Sequence, residues 1–132
     1  MNFKPSSEQE IADRKLWPKA VYAFEIMDAA EKVSQQGGNP MIELKVKVTR
    51  DDGTSRVISD YLVAKRAEKL RNAAAACGLL GKYETGLLSD DDFVGKRGRL
   101  KLTTEKGKNG YPDENVVADY VVKTLSNGDG QN

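Results

Sequence analysis

The sequence predicts an all-β fold with one helix, in the order β-β-β-α-β-β. Three observations predict it: short segments in which apolar and polar residues strictly alternate, an Asp-Gly turn between two of them, and a single switch to helical spacing. With 132 residues, 39% of them hydrophobic and 31% charged, the chain suits one domain with one core.

The first 15 residues are polar and are read as an N-terminal arm, which Leu16-Trp17-Pro18 closes because proline favours extended entry. Trp17 is expected to close one end of the fold, with base stacking as its other reading. Residues 20–31 form the first strand: Tyr22, Phe24 and Ile26 alternate with Ala23 and Glu25. Residues 32–40 then read as a loop, broken by Gly37-Gly38 and Asn39-Pro40. In the second strand Ile42, Leu44, Val46 and Val48 point inward, and Glu43, Lys45, Lys47 and Thr49 outward. The turn at Asp52-Gly53 makes residues 55–63 an antiparallel third strand.

Residues 64–77 are rich in strong helix formers and set Ala67, Leu70, Ala74 and Cys77 on one side, with Gly78 where such a helix would end. Residues 79–92 form a connector. In it Ser89 before Asp90, Asp91 and Asp92 reads as an N-cap with acids in the first turn, a better account of the three aspartates than a divalent metal site. Residues 93–122 form a hairpin. Its first strand puts Arg97, Arg99, Lys101 and Thr103 on one side and Leu100 and Leu102 on the other. Its loop, residues 106–115, carries Lys106, Lys108 and Tyr111 among Gly107, Gly110 and Pro112, a composition suited to a mobile lip. Its return strand spans residues 116–124, and residues 126–132 are expected to be a disordered tail.

This element order is that of the OB-fold, a five-stranded Greek-key barrel with a helix between strands three and four; another small β-barrel with an incidental helix is the alternative, separated from it by topology alone. The barrel is assigned to residues 16–125. In that fold, ligands cross strands two and three between the one-two and four-five loops, here residues 32–40 and 106–115.

Composition narrows the function. No apolar run reaches membrane-span length and the N-terminus lacks an apolar signal core, so the expectation is an intracellular, cytoplasmic protein with no membrane partner. One cysteine and no histidine argue against zinc, and neither a cofactor nor a catalytic set is expected. The net charge is +1, yet residues 40–110 hold 15 Lys and Arg against 10 Asp and Glu, while the remainder holds 6 against 10. Such segregation leaves room for a basic face.

The blocks W-P-K-A-V-Y-A-F-E-I from Trp17, G-G-N-P-M-I-E-L-K-V from Gly37, D-Y-L-V from Asp60, F-V-G-K-R-G-R-L-K-L from Phe93 and G-Y-P-D-E-N-V-V from Gly110 resemble a family of small bacteriophage and prophage proteins regarded as single-stranded-DNA-binding-like. The resemblance covers residues 16–122. It implies a role in phage DNA replication or recombination and brings no catalytic residues with it.

The leading expectation is sequence-tolerant binding of single-stranded DNA. Lys45, Lys47, Arg97, Arg99, Lys101, Lys106 and Lys108 would meet phosphates, and Tyr111 would stack on bases. An interaction module for a phage recombinase or nuclease is the first alternative, with self-association left open. A metal-dependent nuclease using Asp28, Glu43 and Lys45 is the second. The DNA reading requires the lysines of strand two and the arginines of strand four to share one surface.

Overall fold

The computed structural model describes residues 16–33 and 37–122. The expected N-terminal arm, the tail from residue 126, the end of the return strand and residues 34–36 of the first loop lie outside the described residues. Five strands form one antiparallel sheet: β1 (Ala20–Val33), β2 (Pro40–Thr49), β3 (Ser55–Val63), β4 (Arg97–Glu105) and β5 (Glu114–Tyr120), side by side in the order β3-β2-β1-β4-β5. Helix α1 (Ala67–Ala76) crosses between β3 and β4, followed by a short helix α2 (Leu80–Thr85) and a 3₁₀ turn (Asp90–Phe93). Among the described residues no helix is long and apolar enough to cross a membrane.

The strands follow their alternation except where β1 and β5 each carry an irregularity, between Ile26 and Asp28 and between Val117 and Asp119. Phe24 and Ile26 of β1, Leu44, Val46 and Val48 of β2, Leu62 of β3, Leu100 and Leu102 of β4 and Val117 and Tyr120 of β5 are buried in one core with Trp17, Phe93 and the alanines of α1. The run Ala73, Ala74, Ala75 and Ala76 is wholly buried because small side chains let the helix backbone approach the sheet. Gly98 is part of that approach: a Cβ there would lie 3.0 Å from Phe24 Cε2 and 3.1 Å from the Ala76 carbonyl oxygen. The helix stops where Gly78 adopts φ 75°, with Leu79 N–H donating to Ala74 O at 2.7 Å and Gly78 N–H to Ala75 O at 3.2 Å. That pair of bonds is the glycine-closed C-terminus expected at this position.

Two expectations need correction. Residues 80–85 of the connector are helical; Gly86, at φ 75°, caps that helix and Leu87 N–H returns to Lys82 O at 2.9 Å. More consequentially, the sheet does not close into a barrel, because β3 and β5 share no backbone ladder. Side chains occupy the seam instead. Asp60 of β3, 7% exposed, accepts from Tyr120 Oη at 2.7 Å and from Lys69 Nζ of α1 at 2.8 Å. Lys69 also donates to the Val117 carbonyl of β5 at 2.9 Å, so a side-chain ammonium serves a carbonyl that no β3 amide reaches. Burial first, and the Asp60 charge second, push the Tyr120 hydroxyl well above its usual range, which keeps it a proton donor.

A buried charge that loses its partner is costly. Lys69→Met should therefore destabilise the protein by about 3 kcal/mol. Tyr120→Phe, which removes one hydrogen bond to a charged acceptor, should cost about 2 kcal/mol. Urea unfolding measures both; losses within about 0.5 kcal/mol, the range of an ordinary surface change, would remove the clasp from this account.

Candidate functional site

The strand register decides which polar residues share a face, since directly opposed residues on neighbouring strands point the same way. Glu25 of β1 pairs with Lys47 of β2 on one side and with Arg97 of β4 on the other. Ala23 pairs with Thr49 and with Arg99, and Val21 with Lys101. Lys45 stands opposite Asp28 and Ser59. All five predicted strand cations thus lie on the face of the sheet opposite the core. Val57, Ser59 and Tyr61 of β3 extend it, being opposite Lys47, Lys45 and Glu43.

The face is basic but interrupted. Glu25 lies between Lys47 and Arg97, and its carboxylate is 3.6 Å from Arg97 Nη2. Glu43 is more deeply set, its side chain 12% exposed, and it collects three donors: Lys32 Nζ at 2.5 Å, Lys45 Nζ at 3.3 Å and Tyr61 Oη at 3.1 Å. Lys45 also donates to Ser59 Oγ at 2.8 Å. A bulge makes this cluster possible. Met27 is an extra residue in β1, after which Asp28, Ala30 and Lys32 take the outer face and Ala29 packs toward the core. By contrast, among the described residues no carboxylate lies within ion-pairing distance of Lys47, Arg99, Lys101, Lys106 or Lys108.

The hairpin loop is more ordered by its own bonds than its glycine content suggests. Asn109 and Gly110 both have positive φ, 56° and 83°, and Tyr111 N–H donates to Lys108 O at 3.1 Å, a tight Asn-Gly turn at the tip. Asp113 accepts from Gly107 N–H at 2.9 Å and ties the base of the loop. A Cβ on Gly107 would overlap the carbonyl oxygens of Tyr111 and Pro112, so only glycine permits this path. Tyr111 emerges 75% exposed, and Lys106 and Lys108 are exposed beside it.

Trp17 does not offer a stacking surface. It is 4% exposed, its backbone is held by Asn115, which accepts from Trp17 N–H at 2.8 Å and donates to its carbonyl at 3.0 Å, and Arg50 and Arg56 cover its ring at 5.2 and 4.9 Å. The closing role at one end of the core stands. Tyr83 is half-buried against the core, whereas Tyr61 and Tyr111 are exposed.

Asp28, Glu43 and Lys45 do share the outer face. Glu43, however, is bound by two ammonium groups, and among the described residues no group of three or more His, Cys, Asp or Glu could hold a metal ion. Of the three consecutive aspartates, two have separate partners: Asp90 accepts from the Glu31 N–H at 3.1 Å, and Asp92 from the Ser89 N–H at 2.9 Å and from Lys82 Nζ at 2.7 Å. The capping reading of Ser89 describes them. Lys82, followed by the Ser89 N–H, holds the Asp92 carboxyl below its usual range.

No family model and no curated protein sequence matches the chain.

Lys32 foremost, then Lys45 and Tyr61 working against partial desolvation, lower the Glu43 carboxyl from an ordinary 4.5 to about 2. A depressed carboxyl contributes stability above its unfolded value and loses it as pH falls through the folded one. The cluster should therefore be complete at neutral pH and should weaken between pH 4.5 and about 2. Carboxyl-resonance titration should place the Glu43 midpoint near 2; a midpoint near 4.5 would mean the lysines do not hold it.

Proposed function

We propose that this protein binds single-stranded DNA without strong sequence preference, on the outer face of β1, β2 and β4 with the residue 106–113 loop as a lip. The supporting observation is the register: Glu25 and Ala23 each join a β2 residue to a β4 arginine, so the cations of two non-adjacent strands form one surface. Backbone phosphates would meet Lys47, Arg99 and Lys101 first, since no carboxylate among the described residues lies within ion-pairing distance of them, Glu25 opposite Lys47 and Asp119 opposite Lys101 included. Arg97 and Lys45 would follow, and Lys106 and Lys108 would extend the track along the lip. Tyr111 offers an exposed ring for stacking.

The fold proposed with this function is an OB-fold opened between β3 and β5. Its supports are the pairing of β1 with both β2 and β4, the helix between β3 and β4, and the partly open character of OB barrels. The phage setting, in replication or recombination within a host cell, rests on the sequence resemblance. Binding without catalysis is the reading adopted, because the engagement of Glu43 by Lys32 and Lys45 disfavours a nuclease.

Anisotropy of a labelled single-stranded oligonucleotide, measured over a salt series, tests the reading. Arg99→Ala and Lys101→Ala should each weaken binding across all sequences and flatten the salt slope by about 0.7. Tyr111→Ala should cost about 1 to 3 kcal/mol with the slope unchanged. Absence of binding at low salt, or equal slope changes in all three variants, would defeat the assignment.

A further inference from the structure

Glu43 does something unusual for an exposed sheet face. Its carboxylate is the least exposed group of its cluster, at 12%, while the Lys32 and Lys45 side chains that hold it are 49% and 46% exposed. Two ammonium groups and one phenol converge on a single oxyanion, with the acid beneath and the cations open to water. Glu43 is the carboxylate that both lysines reach, while Asp28, opposite Lys45 in the register, is not within ion-pairing distance of either. The donors come from three strands, Lys32 from β1, Lys45 from β2 and Tyr61 from β3, and the β1 bulge at Met27 brings Lys32 to this face. Lys47, the next outward residue of β2, has no carboxylate within ion-pairing distance among the described residues.

We infer that Lys32, Lys45 and Tyr61 form a phosphate site that the Glu43 carboxylate occupies in the free protein and surrenders to a phosphate group of the ligand. The donor chemistry favours this ligand. Ammonium and hydroxyl groups form charge-assisted bonds to phosphate oxygens as readily as to a carboxylate, and a phosphate arriving from solvent meets the exposed ends of both lysines. The internal acid thereby sets a threshold. Weakly held single anions do not displace it, whereas a polyanion anchored at neighbouring cations does. In its nucleic-acid form this inference rests on the DNA-binding proposal; as an anion site it stands apart from it.

The test compares wild type with Glu43→Gln, and with Glu25→Gln as the control for removing one negative charge from the same face. Two probes are used: a labelled oligothymidylate and inorganic tripolyphosphate. Glu43→Gln should bind the oligonucleotide about tenfold more tightly at low salt, with the salt slope little changed, because the same lysines meet phosphate in both complexes and only the cost of displacing the carboxylate is removed. Glu25→Gln, which frees one weakly held arginine, should change affinity less than about threefold. If wild type binds the oligonucleotide and Glu43→Gln binds it no better, or both variants gain equally, the inference is overturned while the DNA reading survives. If neither protein binds oligonucleotide, the DNA reading fails and tripolyphosphate decides: tighter binding by Glu43→Gln, with amide shifts at residues 43 and 45, sustains the site. No tripolyphosphate binding by either overturns it. Should Glu43→Gln not fold, the wild-type Glu43 carboxyl resonance is followed instead; it should move when tripolyphosphate is added, and an unmoved resonance is the contrary result.

Discussion

Asp60 is a carboxylate almost removed from water, placed between the two strands that no backbone ladder joins. Its ionic bond to Lys69 and its hydrogen bond from Tyr120 hold α1, β3 and β5 together, and the Lys69 bond to the Val117 carbonyl serves the edge of β5. With that clasp in place a sheet that is open along one seam can still keep Leu62, Val117 and the helix alanines in one core. Breaking a buried pair leaves a stranded charge, a larger penalty than loss of one hydrophobic contact on the surface.

On that outer face the pattern of charge follows from β1. It is the one strand of the five flanked by both β2 and β4, so its register brings the basic rows of two sequence-distant segments side by side. The same strand interrupts those rows with Glu25, and through its bulge it delivers Lys32 to Glu43. The surface is therefore graded. Lys47, Arg99 and Lys101 have no carboxylate within ion-pairing distance among the described residues, although Glu25 stands opposite Lys47 and Asp119 opposite Lys101; Arg97 is loosely paired, and Lys45 is committed to Glu43 and Ser59. A grading of this kind suits a ligand that adds contacts progressively along a chain of phosphates better than one that binds at a single point.

Much of this was legible in the residues, and the remainder was not for identifiable reasons. The alternation of β2 and the Asp-Gly turn located β3 at Ser55–Val63, and Gly78 marked the end of α1. Period-two counting also placed Arg97, Arg99 and Lys101 together, although only the register could show that Lys47 joins them. Counting failed at Met27, where one extra residue reverses the faces of everything after it; Lys32 would otherwise face the core. The clasp was hidden because Asp60 and Tyr120 are 60 positions apart and nothing local in either segment signals the other. Asn109-Gly110 was a readable signal for a tight turn, outweighed by the glycine content around it. Trp17 illustrates the limit of exposed-aromatic reasoning, since its burial depends on Asn115, 98 positions away.

Amide chemical-shift mapping of the protein with a single-stranded oligonucleotide examines the central claim most directly, because it reports the face and not only the affinity. Perturbations concentrated at residues 45, 47, 97, 99 and 101 and in the 106–113 loop, with α1 unmoved, are the predicted result. Perturbations centred on α1 or on the seam between β3 and β5, with the outer face silent, would contradict it.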